Sequence, residues 1–475
     1  MRSFLAVLFV LFTSPAFAEC ATGWTEVNVP LCQQNASAAP VINSPLTATG
    51  TVGAAFSYTI TATNSPTSFN ATGLPGGLSV NTSTGVISGT PTTAGTTNVA
   101  LSATNSGGTG TATLALTINA TSTVARYEYV LNDGSMTVYD INKLPSVSVV
   151  KTLNLPTSSG TRGVVACGDT MYISYGQDGN GSGGHILSWN LISDSINYDV
   201  TLPFGIDSHS ITRDCSKIYM PEGELASNGL WAELNPANGA VLGTINTGGT
   251  GPHNTYIPSA GTHVYMGTRY TGHLTEGNIP ANTVATSFAS TTGGTVRPFV
   301  VSDDEKYAFV TDSGILGFQT YLVSSGAKLF SSSPAGFTCS GSASACSHGI
   351  SLCPDGTKVY FIDIPNNVHV YDVTGLPSSA PTLDASITLS HPVSGNESPC
   401  GYDCGKDGWL NFSLDGHWVF VGDSGDVIDT TTDTVVANLP AMNNTRKFIE
   451  VDFKNGHVCA SMTNRQSSSN PEVCP

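Results

Sequence analysis

Positive charge is scarce in this chain. Lys and Arg together number 17 in 475 residues, against 34 Asp and Glu, for a formal net charge of -17. A phosphate backbone needs a basic surface, so a nucleic-acid partner is not expected. Charged residues of both signs reach only 11%, and no long stretch carries the 3.6-residue apolar period of an amphipathic helix. After the N-terminal run, no segment is apolar enough to span a bilayer. There is no CxxCH haem site, no Walker loop and no dinucleotide-binding glycine fingerprint. What is present is Gly (51 residues), with Ser, Thr and Asn frequent between short apolar runs. That composition predicts an all-β protein with many turns. The length exceeds one ordinary core, so two or more domains, or one large repeat architecture, are expected.

The opening "MRSFLAVLFVLFTSPAFAEC" has Arg2, a short apolar core and the small-x-small site Ala16-Phe17-Ala18. It reads as a secretory signal over residues 1–18, cut before Glu19, and predicts a secreted or periplasmic protein. Glu19 does not fit the small residue a lipoprotein needs before Cys20. Eleven cysteines in an exported chain predict disulfides. Sequence-local pairs are Cys20 with Cys32, Cys339 with Cys346, Cys400 with Cys404, and Cys459 with Cys474. Cys167 and Cys215 end equivalent strands and pair between neighbouring repeats, which leaves Cys353 over. Zinc is the competing reading of Cys400 and Cys404, but no second close pair accompanies them.

Residues 19–39 form a Cys-bounded head and linker. Over 40–120 the chain is nearly free of charge, with alternating runs such as "FSYTITA", "NVALSAT" and "TATLALTI" and turns "GLPGGLSV" and "STGVISGTP". Period-two alternation punctuated by Gly and Pro is a small β-sandwich signature. This segment resembles the Ig-like repeat of bacterial exported proteins, which implies a spacer or adhesion module, cell-surface association and no chemistry of its own.

From 123 to 475 a longer period appears. "SLCPDGTKVYFID", "FSLDGHWVFVGD" and "VSDDEKYAFVTD" are one element repeated. The pattern resembles the YVTN-type repeat of lactonase-like β-propellers, and the unit count implies seven blades. In that reading "ARYEYVL", "MTVYDI" and "VVKTLNL" are outer strands of a split blade, and "TRKFIEV" is its innermost strand. The fold class expected is thus an Ig-like β-sandwich followed by a seven-bladed β-propeller.

The propeller resemblance puts the start of each first strand around one mouth. Those positions are Arg162, His209, His253, Arg297, His348, Trp409 and Arg446. Clustered cations in a cleft concentrate anions, so Arg162, Arg269, Arg297, Arg446 and Trp409 are the expected substrate-binding residues. The loops after the second strands add Tyr175, Glu222, Arg269, Tyr270, His273, Asp312 and Asp363. His209, His253, His348, Tyr270 and Glu222 are the candidate catalytic groups. His or Tyr would abstract a proton beside a substrate carboxylate and the other would protonate the leaving oxygen, with Arg stabilising the enolate-like intermediate. The function expected is a lyase on an anionic, uronic-acid-containing glycan or a related ester. A non-catalytic extracellular binding or adhesion protein is one alternative. A lactonase-like hydrolase, or an oxidoreductase with a His-ligated divalent metal such as copper or zinc, is another. No cofactor is assigned and no metal ligand is named.

Overall fold

The computed structural model describes residues 24–26, 32–34, 37–119, 124–157, 160–177, 183–258, 261–279, 281–289, 295–312, 315–338, 346–364, 366–397, 405–463 and 466–469. Among them the chain is all-β, with three short 3-10 turns and no α-helix. No helix is long and apolar enough to cross a membrane. The chain divides into two compact units, Met1–Ser122 and Thr123–Pro475. The leader reading of residues 1–18 lies outside the described residues.

In the first unit a two-stranded ribbon, Trp24–Glu26 with Cys32–Gln34, precedes two facing sheets. One has four strands, ordered Thr47–Thr51, Gly108–Asn119, Gly95–Asn105 and Ser68–Thr72. The other has three, ordered Phe56–Thr59, Val86–Gly89 and Leu78–Val80. Alternate residues point inward, so Val99, Leu101, Leu114, Leu116 and Ile118 meet Ile60 and Ile87 in a single core.

The second unit holds, among the described residues, six four-stranded antiparallel sheets in chain order and one six-stranded sheet. The four-stranded sheets begin at Thr161–Cys167, Ser210–Ile211, Pro252–Tyr256, Val296–Val301, Ser347–Leu352 and Trp409–Phe412. Their first two strands are buried nearly throughout because neighbouring sheets cover both faces: Ser347–Leu352 is buried at every position. The fourth strands alternate, as in Thr382–Thr388, because one face meets water.

The repeated hairpin turn has one chemistry. Asp355 Oδ1 accepts the Thr357 N–H at 2.9 Å and Gly356 takes φ +73°. Asp415 with Gly416 (φ +72°), and Asp304 with Glu305 (φ +54°), repeat it. In "DCSK" Cys215 occupies this left-handed position at φ +58°. From there it forms the expected disulfide with Cys167, at the end of the preceding sheet's first strand. Cys346 and Cys459 are also disulfide-bonded, and Cys353 is free. Cys20, Cys339, Cys400, Cys404 and Cys474 lie outside the described residues, as do the details of their expected pairings.

Each sheet touches the next. Ser174 Oγ donates to Asp207 O at 3.0 Å between the first and second sheets, and Ser210 Oγ to Thr255 O at 3.1 Å between the second and third. Tyr256 packs on Phe299, and Thr311 Oγ1 donates to His348 O at 3.1 Å. His348 Nδ1 lies 2.9 Å from Gly408 O, between the fifth and sixth sheets. Asn411 reaches Met462 O at 3.0 Å in the six-stranded sheet, and Ser461 Oγ returns to Ala166 O at 3.2 Å in the first.

One expectation is corrected. Phe448–Lys454 is not the innermost strand of the split sheet: it pairs with Ala125–Asn132 on one side and His457–Thr463 on the other. Two strands are added beyond it, His457–Thr463 and Gln466–Ser469, and the bonds of Met462 and Ser461 tie the first of these to the sixth and first sheets.

Candidate functional site

Four of the seven ring positions fall on β-bulges. Pairing with the second strand shifts register between Thr161 and Gly163, Pro252 and Asn254, Val296 and Phe299, and Ser347 and Ile350. The skipped residues include Arg162, His253, Arg297 and His348. A bulge breaks the two-residue alternation and re-aims the extra side chain. The side chain of Arg297 is outside the described residues.

The three ring histidines have different surroundings. His209 is wholly buried. Its Nδ1 is 3.1 Å from Ser174 Oγ and its Nε2 3.2 Å from Tyr172 O, so it ties the second sheet to the first. Gly163 permits this, because a Cβ there would lie 2.7 Å from His209 Nδ1. His253 Nδ1 is 2.5 Å from Asp207 Oδ2 and 3.1 Å from Glu224 Oε2, while its Nε2 is buried with no hydrogen-bond partner. Arg269 Nη1 closes this group at 2.8 Å from Glu224 Oε1. Burial opposes the Glu224 charge, but His253, Arg269 and Arg162 outweigh it and the repulsion of Asp207, and hold the carboxyl below its ordinary range.

His348 belongs to a second group. It stands edge-on to Trp409, and its Nε2 is 3.7 Å from Asp407 Oδ2. Arg446 is the centre: its Nε is 2.7 Å from Glu397 Oε1 and 3.7 Å from Asp423 Oδ2, and its Nη1 is 3.5 Å from Asp407 Oδ2. Asp423 sits in the left-handed region at φ +65°, with Oδ1 buried and unpartnered. Burial, reinforced by Glu397, pushes Asp423 up to about 8. Burial also opposes the Glu397 charge, but attraction to Arg446, Lys447 and Arg162 overcomes that and takes it down to about 2. Arg162 acts electrostatically on both Glu224 and Glu397.

Of the remaining candidates, Tyr270 is 54% exposed beside Arg269, whose guanidinium lies 5.7 Å from the ring centre. Glu222 is half-buried, with burial raising its carboxyl and Asn228 beside it; Glu224, two residues on, makes the contacts to His253 and Arg269. Tyr175 donates to Asp199 at 2.5 Å and stacks on His185, apart from either group. The histidines that begin second strands also meet carboxylates: His263 is 2.6 Å from Glu305 and His457 2.7 Å from Asp169.

Sequence reasoning named the cations and omitted their partners Asp207, Glu224, Glu397, Asp407 and Asp423. The signal available was indirect: an arginine entering a buried strand needs a counter-charge, and Asp207 stands in the same "DSHSI" phrase as His209.

Residues 39–119 match the family described as "Putative Ig domain". A search of curated proteins finds no match to the chain. Among solved structures, the chain is similar to a functionally unknown protein from Desulfotomaculum acetoxidans, with 11% identity and a TM-score of 0.53 over 68% of this chain and 98% of that one. At that identity the likeness concerns the fold alone. Hydrazine synthase from Kuenenia stuttgartiensis aligns with 14% identity and a TM-score of 0.48, over 70% of this chain and 93% of that one.

Proposed function

We propose that residues 123–475 form an exported seven-bladed β-propeller enzyme, a lyase that cleaves a uronic-acid-containing glycan or a related ester at the ring mouth. The unbroken succession of sheet-to-sheet contacts, returning from Ser461 to Ala166, supports the propeller. The Cys167–Cys215 bridge supports an oxidising, extracytoplasmic compartment.

The observation that carries the enzymatic reading is the Arg446 group. Two carboxyl groups meet one guanidinium and are pushed apart: burial and Glu397 raise Asp423, while Arg446 lowers Glu397. Opposed shifts in one site are the arrangement that acid–base chemistry needs. Asp423 would give a proton to the leaving oxygen. His348 donates through Nδ1 to Gly408 O, which leaves Nε2 as the basic nitrogen for proton abstraction.

The test is incubation of the purified chain with a panel of uronic-acid glycans and sugar esters, followed by absorbance of the unsaturated product. His348→Ala and Asp423→Asn should each slow product formation by roughly 10²- to 10⁴-fold with unchanged circular dichroism. No product from any member of the panel would sink the enzymatic reading. The second reading, a non-catalytic binding protein, is favoured by the pairing of Arg269 and Arg446 with the protein's own carboxylates. It expects glycan retention on affinity electrophoresis without turnover.

A further inference from the structure

We propose that Asp207, Glu224 and His253 bind a single divalent cation of the transition series, Mn²⁺ or Zn²⁺. The three come from separate places: the loop before Ser210–Ile211, the loop after Ile218–Pro221, and the bulge in Pro252–Tyr256. One ligand atom from each lies within 4.8 Å of the others. Both carboxylates aim at the same atom, His253 Nδ1, at 2.5 and 3.1 Å. One N–H directs its hydrogen well at one acceptor, whereas a cation at that point serves both oxygens and the nitrogen.

The outer contacts are those of a prepared site. Asp207 Oδ1 accepts from Ser208 N at 2.7 Å, and Glu224 Oε1 from Arg269 at 2.8 Å. The second oxygen of each carboxylate, Oδ2 and Oε2, is thereby turned inward, as supporting bonds turn the ligands of metal centres. His253 Nε2 is buried without a partner, so apart from the two carboxylates nothing fixes the ring proton on Nδ1. With the proton on Nε2, the Nδ1 lone pair faces the two oxygens. One imidazole nitrogen with two carboxylate oxygens suits Mn²⁺ or Zn²⁺ better than Ca²⁺ or Mg²⁺, which take oxygen donors. Binding requires Nδ1 without a proton: a neutral ring shifts its single proton to Nε2, and a doubly protonated ring releases the Nδ1 proton to solvent; no electron is transferred.

The ion also gives the mouth what its arginines lack. Arg269 and Arg446 are engaged by Glu224 and by Glu397, so a substrate carboxylate needs a further cation, and the divalent ion supplies it. This last step rests on the lyase reading; the site itself does not.

The experiment is titration calorimetry of the chelator-stripped full chain with MnCl₂ and with ZnCl₂, without substrate, and elemental analysis after gel filtration. The expected result is saturable binding of one ion per chain. His253→Ala and Glu224→Gln should each weaken it by more than the roughly 10- to 100-fold cost of losing a supporting contact. His457→Ala, a histidine paired instead with Asp169, should leave it unchanged. If His253→Ala does not fold, Glu224→Gln carries the same comparison. No saturable binding of either ion to folded wild-type chain, or equal binding in both ligand variants, would overturn the site. An ion bound without product formation upholds the site and removes the lyase reading. Product formed at full rate by metal-free chain under chelator overturns the ion's part in substrate binding and leaves both the site and the lyase.

Discussion

Replacing Glu128 by Gln should make the protein progressively more stable relative to wild type as pH rises above 4.5. Glu128 lies directly across from Glu450 in the antiparallel pairing of Ala125–Asn132 with Phe448–Lys454. Both side chains are wholly buried, and neither Glu128 oxygen has a hydrogen-bond partner. The cation at hand, Arg126, is spent on Glu450 and Asp415. Burial first, then repulsion from Glu450 and Asp452, raises the Glu128 carboxyl well above its ordinary 4.5. The folded chain therefore keeps a proton that the unfolded chain releases. Its stabilising contribution is complete below pH 4.5 and is lost as pH rises toward the folded value. The loss is about 1.4 kcal/mol for each pH unit through which the proton is retained. Glu450, pushed to about 8, and Asp452, pushed to about 6, act in the same direction over part of the range. Glutamine has no proton to retain, so one group's share of the slope disappears. Urea unfolding followed by tryptophan fluorescence at pH 5, 6 and 7 reads this directly. Between pH 5 and 6 the variant should gain about 1.4 kcal/mol on wild type, on top of a pH-independent offset of about 1–3 kcal/mol against it for burying the amide. Parallel pH slopes for the two proteins would refute the reasoning.

Two further outcomes follow from named contacts. Arg446→Met leaves Glu397 and Asp407 without their cation; thermal unfolding at pH 7 should show a loss of about 3–5 kcal/mol, recovered in part by the double variant with Glu397→Gln. Cys167→Ala opens the bridge to Cys215 at a sequence separation of 48. It should cost about 4 kcal/mol on the chain-entropy account, seen as a lower denaturation midpoint, and reductant should add little further loss from this bridge.

The strands and turns were legible because local chemistry repeats. "CPDGTK", "LDGHW" and "DDEKY" share an Asp that caps the turn and a left-handed residue after it. Cys167 and Cys215 could be paired from sequence because they occupy fixed places in that repeat. The order of Phe448–Lys454 was misread because two further strands, His457–Thr463 and Gln466–Ser469, extend the sheet past it, and sequence alone does not say on which side of such a strand the sheet continues.

The site divides in the same way. Periodicity picked out Arg162, His253 and His348, each of which falls at a register shift in the first strand of its sheet, since side-chain position along a strand is a local property. It could not show that His209 spends both nitrogens between two sheets while His253 meets Asp207 and Glu224. Those carboxylates, like Glu397 and Asp407, lie in loops that carry no period. What they pair with depends on contacts between sheets some forty residues apart in the chain, such as Asp207 with His253. Sequence thus determined where the cations stand; only the tertiary structure decided their counter-charges, their proton states and which imidazole keeps a free nitrogen. Burial and through-space electrostatics set all three, and neither is a property of neighbours in sequence.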